Sequence, residues 1–426
     1  MTRKLIQRPS RWLVWGGYAL LLLVAPLLFR SSLSLTMLSQ MGVAIIACLA
    51  FNMLLGQGGM LSFGHAVYSG LGGFFAIHAL NMVSDGSLPL PVSLIPLVGG
   101  LFGLLSAALL GYVTTKKAGT PFAMITLGIG ELVAAMALMF PGFFGGEGGI
   151  SGDRTAGHAV LGITFGPQIQ LYYLIAVYCF FCTALMFAFT RTPLGRMLNA
   201  VRDNPERVEF IGYSTQHVRF LAFMASGLFM GIAGGLGALN FEIVTSEVVG
   251  AARSGAYLLF TFLGGAMFFF GPIIGAVLMV LALVLLSELT RAWLLYLGLI
   301  FLFMVMYAPG GIASLIMMNL RVAAHRKLRR LGGPYLALAA ASCVMLAGAG
   351  AMIEMVYHLQ LNQAVGPNMK YLGVPLNATG IASWSGAALV LALGLALFEF
   401  TRRRFARCWN TIQDEIETES KQGAAP

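Results

Sequence analysis

The stretch RTPLGRMLNAVRDNPERVEFIGYSTQHVR, residues 191–219, is a polar interruption in a chain that is otherwise lipid-soluble. It carries Arg191, Arg196, Arg202, Arg207 and Arg219, with Asp203, Glu206 and Glu209 among them. Leu194, Met197, Leu198 and Val201 fall at i, i+3, i+4 and i+7, the apolar face of a short helix, while Arg196 and Arg202 project elsewhere. Asn204-Pro205-Glu206 then has the order of a helix start: an N-cap, proline at the first helical position, an acid in the first turn. Val208 and Ile211 share a face, and Gly212 stands where a helix ends on glycine. The segment therefore reads as two short helices with a tight join. Simple connectors between spans are shorter and less patterned. A capped, charged helix pair suits docking into a cleft of a partner protein.

The composition around it sets the class. Of 426 residues, 58% are hydrophobic and 10% charged, with a mean hydropathy of +0.84. Soluble domains carry about 25% charged residues, so this chain is an integral membrane protein. Apolar runs of bilayer-spanning length recur, too long for barrel strands, and the fold is all-α, a polytopic helical bundle. Spans are expected at about 12–29, 33–55, 61–82, 92–113, 121–139, 168–190, 217–240, 256–269, 271–288, 292–308, 334–357 and 383–400, twelve in all. The first is read as uncleaved, because its apolar part exceeds a signal-peptide core and no small-x-small site follows. The eighth is short and Gly-rich, with a re-entrant loop as its alternative.

Charge supplies the sidedness. With twelve crossings, 21 of the 26 basic residues fall on one face: the N-terminal group, Lys116 and Lys117, the five arginines of 191–219, Arg321–Arg330, Arg402–Arg407 and Lys421. That face should be cytoplasmic, with both termini on it. A re-entrant eighth segment would move Arg321–Arg330 outside, so the asymmetry favours a full crossing. The net charge of +10 flanks apolar runs and forms no single surface, which argues for topology and against nucleic acid. Cys179-Phe180-Phe181-Cys182 matches C-x-x-C but lies inside an apolar run, where a packed pair is the better reading.

Polar residues at membrane depth are the candidates for function. Gly56-Gln57-Gly58-Gly59 sits at the junction of two spans and leads into Ser62-Phe63-Gly64-His65. Glycines allow close packing or a broken helix lining a pathway, and both readings stand for Gln57, Ser62, Phe63 and His65. Leu55-Gly56 then Phe63-Gly64 is echoed by Leu263-Gly264 then Phe270-Gly271-Pro272, a suggestive repeat. Glu131 lies near the middle of a span, where a carboxylate costs several kcal/mol unless paired or protonated; it either serves transport or bonds a neighbouring helix. His65 and His78 are read as packed imidazoles, and Glu288 and Glu354 lie near span ends. No lysine follows a glycine, so a Walker P-loop is absent, as are H-E-x-x-H and G-x-S-x-G. No enzyme activity is expected.

Several blocks, in order, resemble the inner-membrane permease subunits of ABC importers for branched-chain amino acids: GQGGMLSFGHAVYSGLGGFFA, TPFAMITLGIGEL followed by GGEGGISG, TPLGRMLNAVRDNPERVEFIGYSTQHVRFLAFMASGLFMGIAGGLGAL, LLFTFLGGAMFFFGPIIGA and YAPGGI. The resemblance covers about residues 12–318 and is nearer to the second type of permease subunit in such systems. It implies a pathway-forming subunit in the bacterial inner membrane. The partners it implies are a second permease in a heterodimer, two ATP-binding subunits and a periplasmic substrate-binding protein; ATP would be used by those partners, with no cofactor on this chain. Carried over, Asn199, Arg202, Asp203, Asn204, Glu206 and Gly212 would form the ATPase-coupling loop. Gly146, Glu147 and Gly148 would form the external turn, where Glu147 replaces an often uncharged polar residue. Relatives are similar to carriers of amides, urea and aromatic acids as well as leucine-like amino acids.

The domain organisation expected is a permease domain over 1–318 with its loop at 191–219, a basic cytoplasmic linker at 319–333, a two-span extension at 334–400, and a charged tail at 401–426 read as solvated. The competing function is an ion-coupled secondary transporter using Glu131.

Overall fold

The computed structural model describes residues 11–156, 164–325, 327–361 and 366–422. Arg3, Lys4, Arg8, Arg326 and residues 157–163 lie outside the described residues, as do the side chains of Arg11, Glu419 and Lys421. Two compact units form: Met1–Leu285 with Phe301–Ser314, and Leu286–Ile300 with Leu315–Pro426.

The first unit opens with α1 (Arg11–Leu28), α2 (Ser32–Gly58), α3 (Ala66–Ser84), α4 (Ile95–Thr114), α5 (Thr120–Met139) and the turn-length α6 (Pro141–Phe144). It continues with α7 (Gln168–Phe189), α8 (Pro193–Asp203), α9 (Pro205–Phe210), α10 (Thr215–Phe241), α11 (Ala251–Gly264) and α12 (Gly271–Leu281); α13 (Ser287–Leu289) belongs to the second unit. α14 (Trp293–Tyr307) and α15 (Gly311–Ala324) follow, bent by 50° at Gly310-Gly311. Among the described residues, nine helices are long and apolar enough to cross a membrane, or ten if that bent pair is one span. Twelve were expected. The difference is at the N-terminal run, whose apolar helix Trp12–Leu28 has fewer than 18 residues, and at 256–269, whose helix α11 has 14 residues. At 1.5 Å per residue, α11 spans about 21 Å, short of a bilayer core of about 30 Å.

α10 is the hub. Its glycines let α3 and α4 approach to backbone contact: an added Cβ on Gly231 would strike the Gly99 carbonyl, and one on Gly234 the Ser69 carbonyl. Small residues serve this purpose where lipid removes any hydrophobic drive between helices. Around α10, α2 packs against α7 and α12. The C-x-x-C pair is free and buried, with Cys179 Sγ 3.1 Å from Tyr18 Oη. The packing reading of that motif holds.

In the second unit, α16 (Leu328–Leu361) and α17 (Ile381–Gln422) pack as an antiparallel pair joined through a hairpin of β1 (Asn368–Tyr371) and β2 (Val374–Asn377). Glu354 accepts hydrogen bonds from Thr290 and, at 3.2 Å, from Tyr296. The charged tail, expected to be solvated, continues α17 as helix. Ile412 and Ile416 are buried one turn apart, and Glu415 pairs with Lys327 at 2.8 Å and Arg330 at 3.2 Å. An i, i+4 apolar pair beside an acid is enough to hold that turn against a neighbouring helix.

Candidate functional site

The polar segment folds as its capping signals require. Thr192 Oγ1 accepts from Gly195 N–H at 3.1 Å and starts α8; Asn204 Oδ1 accepts from Arg207 N–H at 3.1 Å and starts α9 behind Pro205. Gly212 closes the pair at φ +88°, its N–H bonded to the Glu209 carbonyl. Leu198, Val201 and Val208 are buried, with Leu194 and Met197 half-buried, so the apolar stripe of α8 packs inward. Ile211 does not share the buried face of Val208. It is 65% exposed, and with Phe210 at 89% and Tyr213 it forms an apolar patch on the outside of the loop. α9 ends at Phe210, which leaves Ile211 beyond the helix and outside its periodicity.

α8 rests on the end of α2. Leu198 Cδ1 lies 3.1 Å from where a Cβ on Gly58 would sit. Arg202, expected to point away, folds back over Gly59 and donates from Nη1 to the Gly56 carbonyl, while pairing with Asp203 at 2.9 Å. A cation on the last carbonyls of a helix meets the negative end of its dipole. Gly59 caps α2 in the left-handed region at φ +63°, a conformation that only glycine adopts freely. Gly56 in turn abuts the Ala266 carbonyl in the break between α11 and α12, so the two echoed glycine breaks of the sequence meet in space.

Beyond the cap, residues 59–65 are clamped from three helices. Phe63 N–H donates to Thr126 Oγ1 at 3.2 Å, Ala66 N–H to Ser254 Oγ at 3.0 Å, and His65 Nε2 lies 2.8 Å from Ser226 Oγ. Ser226 spends its single proton on the Ala50 carbonyl at 2.6 Å. His65 must therefore donate from Nε2, which leaves Nδ1 as a bare acceptor. Its ring is fully buried between Phe51, Tyr68 and Phe223. Among the described residues, Nδ1 of His65, Oγ of Ser62 and Oδ1 of Asn52 are buried without partners. Each such atom costs about 1–3 kcal/mol. Sequence reasoning missed Thr126, Ser226 and Ser254, whose hydroxyls carry no motif. Gln57 is half-buried at the rim of this break.

Glu131 is not part of that cluster. Its neighbour Gly130 packs toward Gly64, but Glu131 itself is exposed, on an open stripe of α5 with Met124, Gly128, Leu132 and Ala135. His78 is a packed imidazole, bonded to the Phe143 carbonyl at 2.8 Å.

The external turn is held more firmly than its glycines suggest. Gly146-Glu147-Gly148 forms a single 3-10 turn, and Ile150-Ser151 pairs antiparallel with Ile243-Val244 after α10. Arg154 locks this corner, donating to the Leu239, Phe165 and Gly166 carbonyls and lying 3.8 Å from Glu242. The Thr155 hydroxyl and amide hold the Asp153 carboxyl below the usual carboxylate range. Glu147 and Gly148 remain exposed. Among the described residues no group of three or more His, Cys, Asp or Glu could hold a metal.

The arrangement is a broken, glycine-capped span end gripped by a polar helix. The family model for the permease component of branched-chain amino acid transport systems matches residues 33–309, well over half of the chain, and the chain belongs to that family. It is 27% identical over 304 residues to the high-affinity branched-chain amino acid transport system permease protein LivM of Escherichia coli (strain K12), covering 66% of this chain and 70% of that protein. Identity and coverage are the same for LivM of Salmonella typhimurium (strain LT2). No solved structure matches. The chain is a multi-pass permease subunit of an importer, and its matched region ends before α15.

Proposed function

We propose that this chain forms the pathway half of an ATP-driven importer for branched-chain amino acids or related small amphipathic solutes, in a bacterial inner membrane with both termini cytoplasmic. Its partners in this reading are a second permease, two ATP-binding subunits and a periplasmic binding protein; it binds no nucleotide itself. The observation that carries the proposal is the seat of α8 on the end of α2 through Arg202, Leu198 and Gly59.

The loop Asn199–Gly212 presents Phe210, Ile211 and Tyr213 outward, with Glu206 and Arg207 beside them. An ATPase cleft takes that patch. Nucleotide closure then moves α8, Arg202 drags the α2 terminus, and residues 59–65 repack. The unpartnered atoms of Asn52, Ser62 and His65 gain partners in the alternate state, which lowers the cost of switching. The open stripe of α5 with Glu131 faces the second permease and the pathway, because a carboxyl group in mid-span is costly to rest against acyl chains. Glu147 and Gly148 meet the binding protein.

Arg202→Ala tests the coupling. A hydrogen bond from a charged group is worth about 1.5–3 kcal/mol, and tenfold corresponds to about 1.4 kcal/mol. Uptake per ATP hydrolysed by the reconstituted complex should fall about tenfold or more, with subunit association retained. Unchanged stoichiometry would remove Arg202 from the mechanism.

A further inference from the structure

A groove of about 480 Å³ opens between α16 and α17, lined on one side by Gly333, Pro334 and Ala337 and on the other by Thr401, Arg404 and Arg407. Small residues and a ring keep the α16 wall low, and Gly333 has open space around it. The α17 wall is cationic.

Its charges are not spent on the protein. Glu399 binds Arg402 and Arg403, each at 2.7 Å, and Glu415 binds Lys327 and Arg330. Among the described residues no carboxylate pairs with Arg404 or Arg407. Arg404 lies over the Phe400 ring at 5.7 Å, and Arg407 touches the Arg403 carbonyl at 3.4 Å. Both guanidinium groups therefore keep free donors beside the Thr401 hydroxyl.

The level of the groove follows from the helices. Ile381–Phe398 is uncharged for 18 residues, about 27 Å of helix. The groove begins directly past its end. On α16 the uncharged run Leu331–Ile353 begins at the same place. Both helices thus set the groove at the headgroup layer, where Tyr335, Phe405 and Trp409 cluster, as aromatic residues do at a membrane interface. Guanidinium forks are matched to phosphate oxygens, and basic pockets between membrane helices hold anionic headgroups.

We propose that this groove is a binding site for the phosphodiester headgroup of an anionic phospholipid, held by Arg404 and Arg407. The phosphate chemistry is shared with free phosphate, and the bilayer-level position selects the lipid.

The test uses the purified full chain titrated with short-chain phosphatidylglycerol, short-chain phosphatidylcholine and inorganic phosphate. Saturable binding of phosphatidylglycerol is expected, weaker by about tenfold in Arg404→Gln/Arg407→Gln. Arg402→Gln/Arg403→Gln removes the same net charge from carboxylate-paired positions and should change binding by less than about twofold. Should the first variant not survive purification, Arg404→Lys/Arg407→Lys carries the test, with about a threefold loss expected from the missing bidentate fork. The proposal is overturned by equal binding in wild type and groove variant, by equal loss in the paired-arginine variant, by phosphatidylcholine binding as tightly, or by inorganic phosphate competing at matched concentration.

Discussion

Gly212→Pro should abolish ATP-coupled uptake while leaving the chain inserted in the membrane. Gly212 sits at φ +88° with nothing near the position of an added Cβ, so the effect is purely conformational. Proline fixes φ near −65° and has no N–H. It loses the bond to the Glu209 carbonyl and reverses the turn that carries α9 back into α10. The outward patch of Phe210, Ile211 and Tyr213 would leave its place, while the spans themselves are untouched. Gly212→Ala strains the same turn by about 1–2 kcal/mol and should retain partial uptake. Membrane extraction and transport by the reconstituted complex separate the two outcomes. Normal uptake by the proline variant would mean that the loop does not transmit motion.

Gly234→Leu should prevent the bundle from assembling. On α10 an added Cβ at this position collides with the Ser69 carbonyl and lies 2.9 Å from the Gly73 amide. Both are backbone atoms of α3, which cannot rotate out of the way. Overpacking typically costs about 1–3 kcal/mol and more where backbone must shift. Gly237, one turn further along the same helix, has open space around its Cβ position. Gly237→Leu is therefore the matched control, with the same propensity change and none of the clash. In size-exclusion profiles of extracted protein, the first variant should aggregate and the second should elute like wild type. Equal behaviour would remove the α3–α10 seam from its central role.

The sequence carried the class and most span positions because apolar run length is a direct consequence of bilayer thickness. It carried the loop helices because Asn204, Pro205 and Gly212 act through local backbone geometry alone. It did not carry the direction of Arg202. A long side chain at the edge of a helix can reach outward or fold back, and the choice depends on Gly56 and Gly59, far away in sequence. Nor did it carry the outward aim of Glu131, because α5 is apolar around its whole circumference and offers no periodicity to orient. The spacing puts Ile211 on the face of Val208, but the helix ends one residue earlier, at Phe210. The half-length of α11 follows from the break at Gly264-Gly265, where Gly265 packs against Gly310 and Ala313, a contact across many residues of chain.

In the proposed function this chain transports only when ATPase partners drive it through the loop at 191–219. The most direct measurement is substrate uptake into proteoliposomes holding either the purified chain alone, under imposed proton and sodium gradients, or the chain assembled with its second permease, ATPase subunits and binding protein. Uptake is expected only in the assembled sample and only with ATP inside the compartment of the ATPases. Gradient-driven uptake by the lone chain would contradict it.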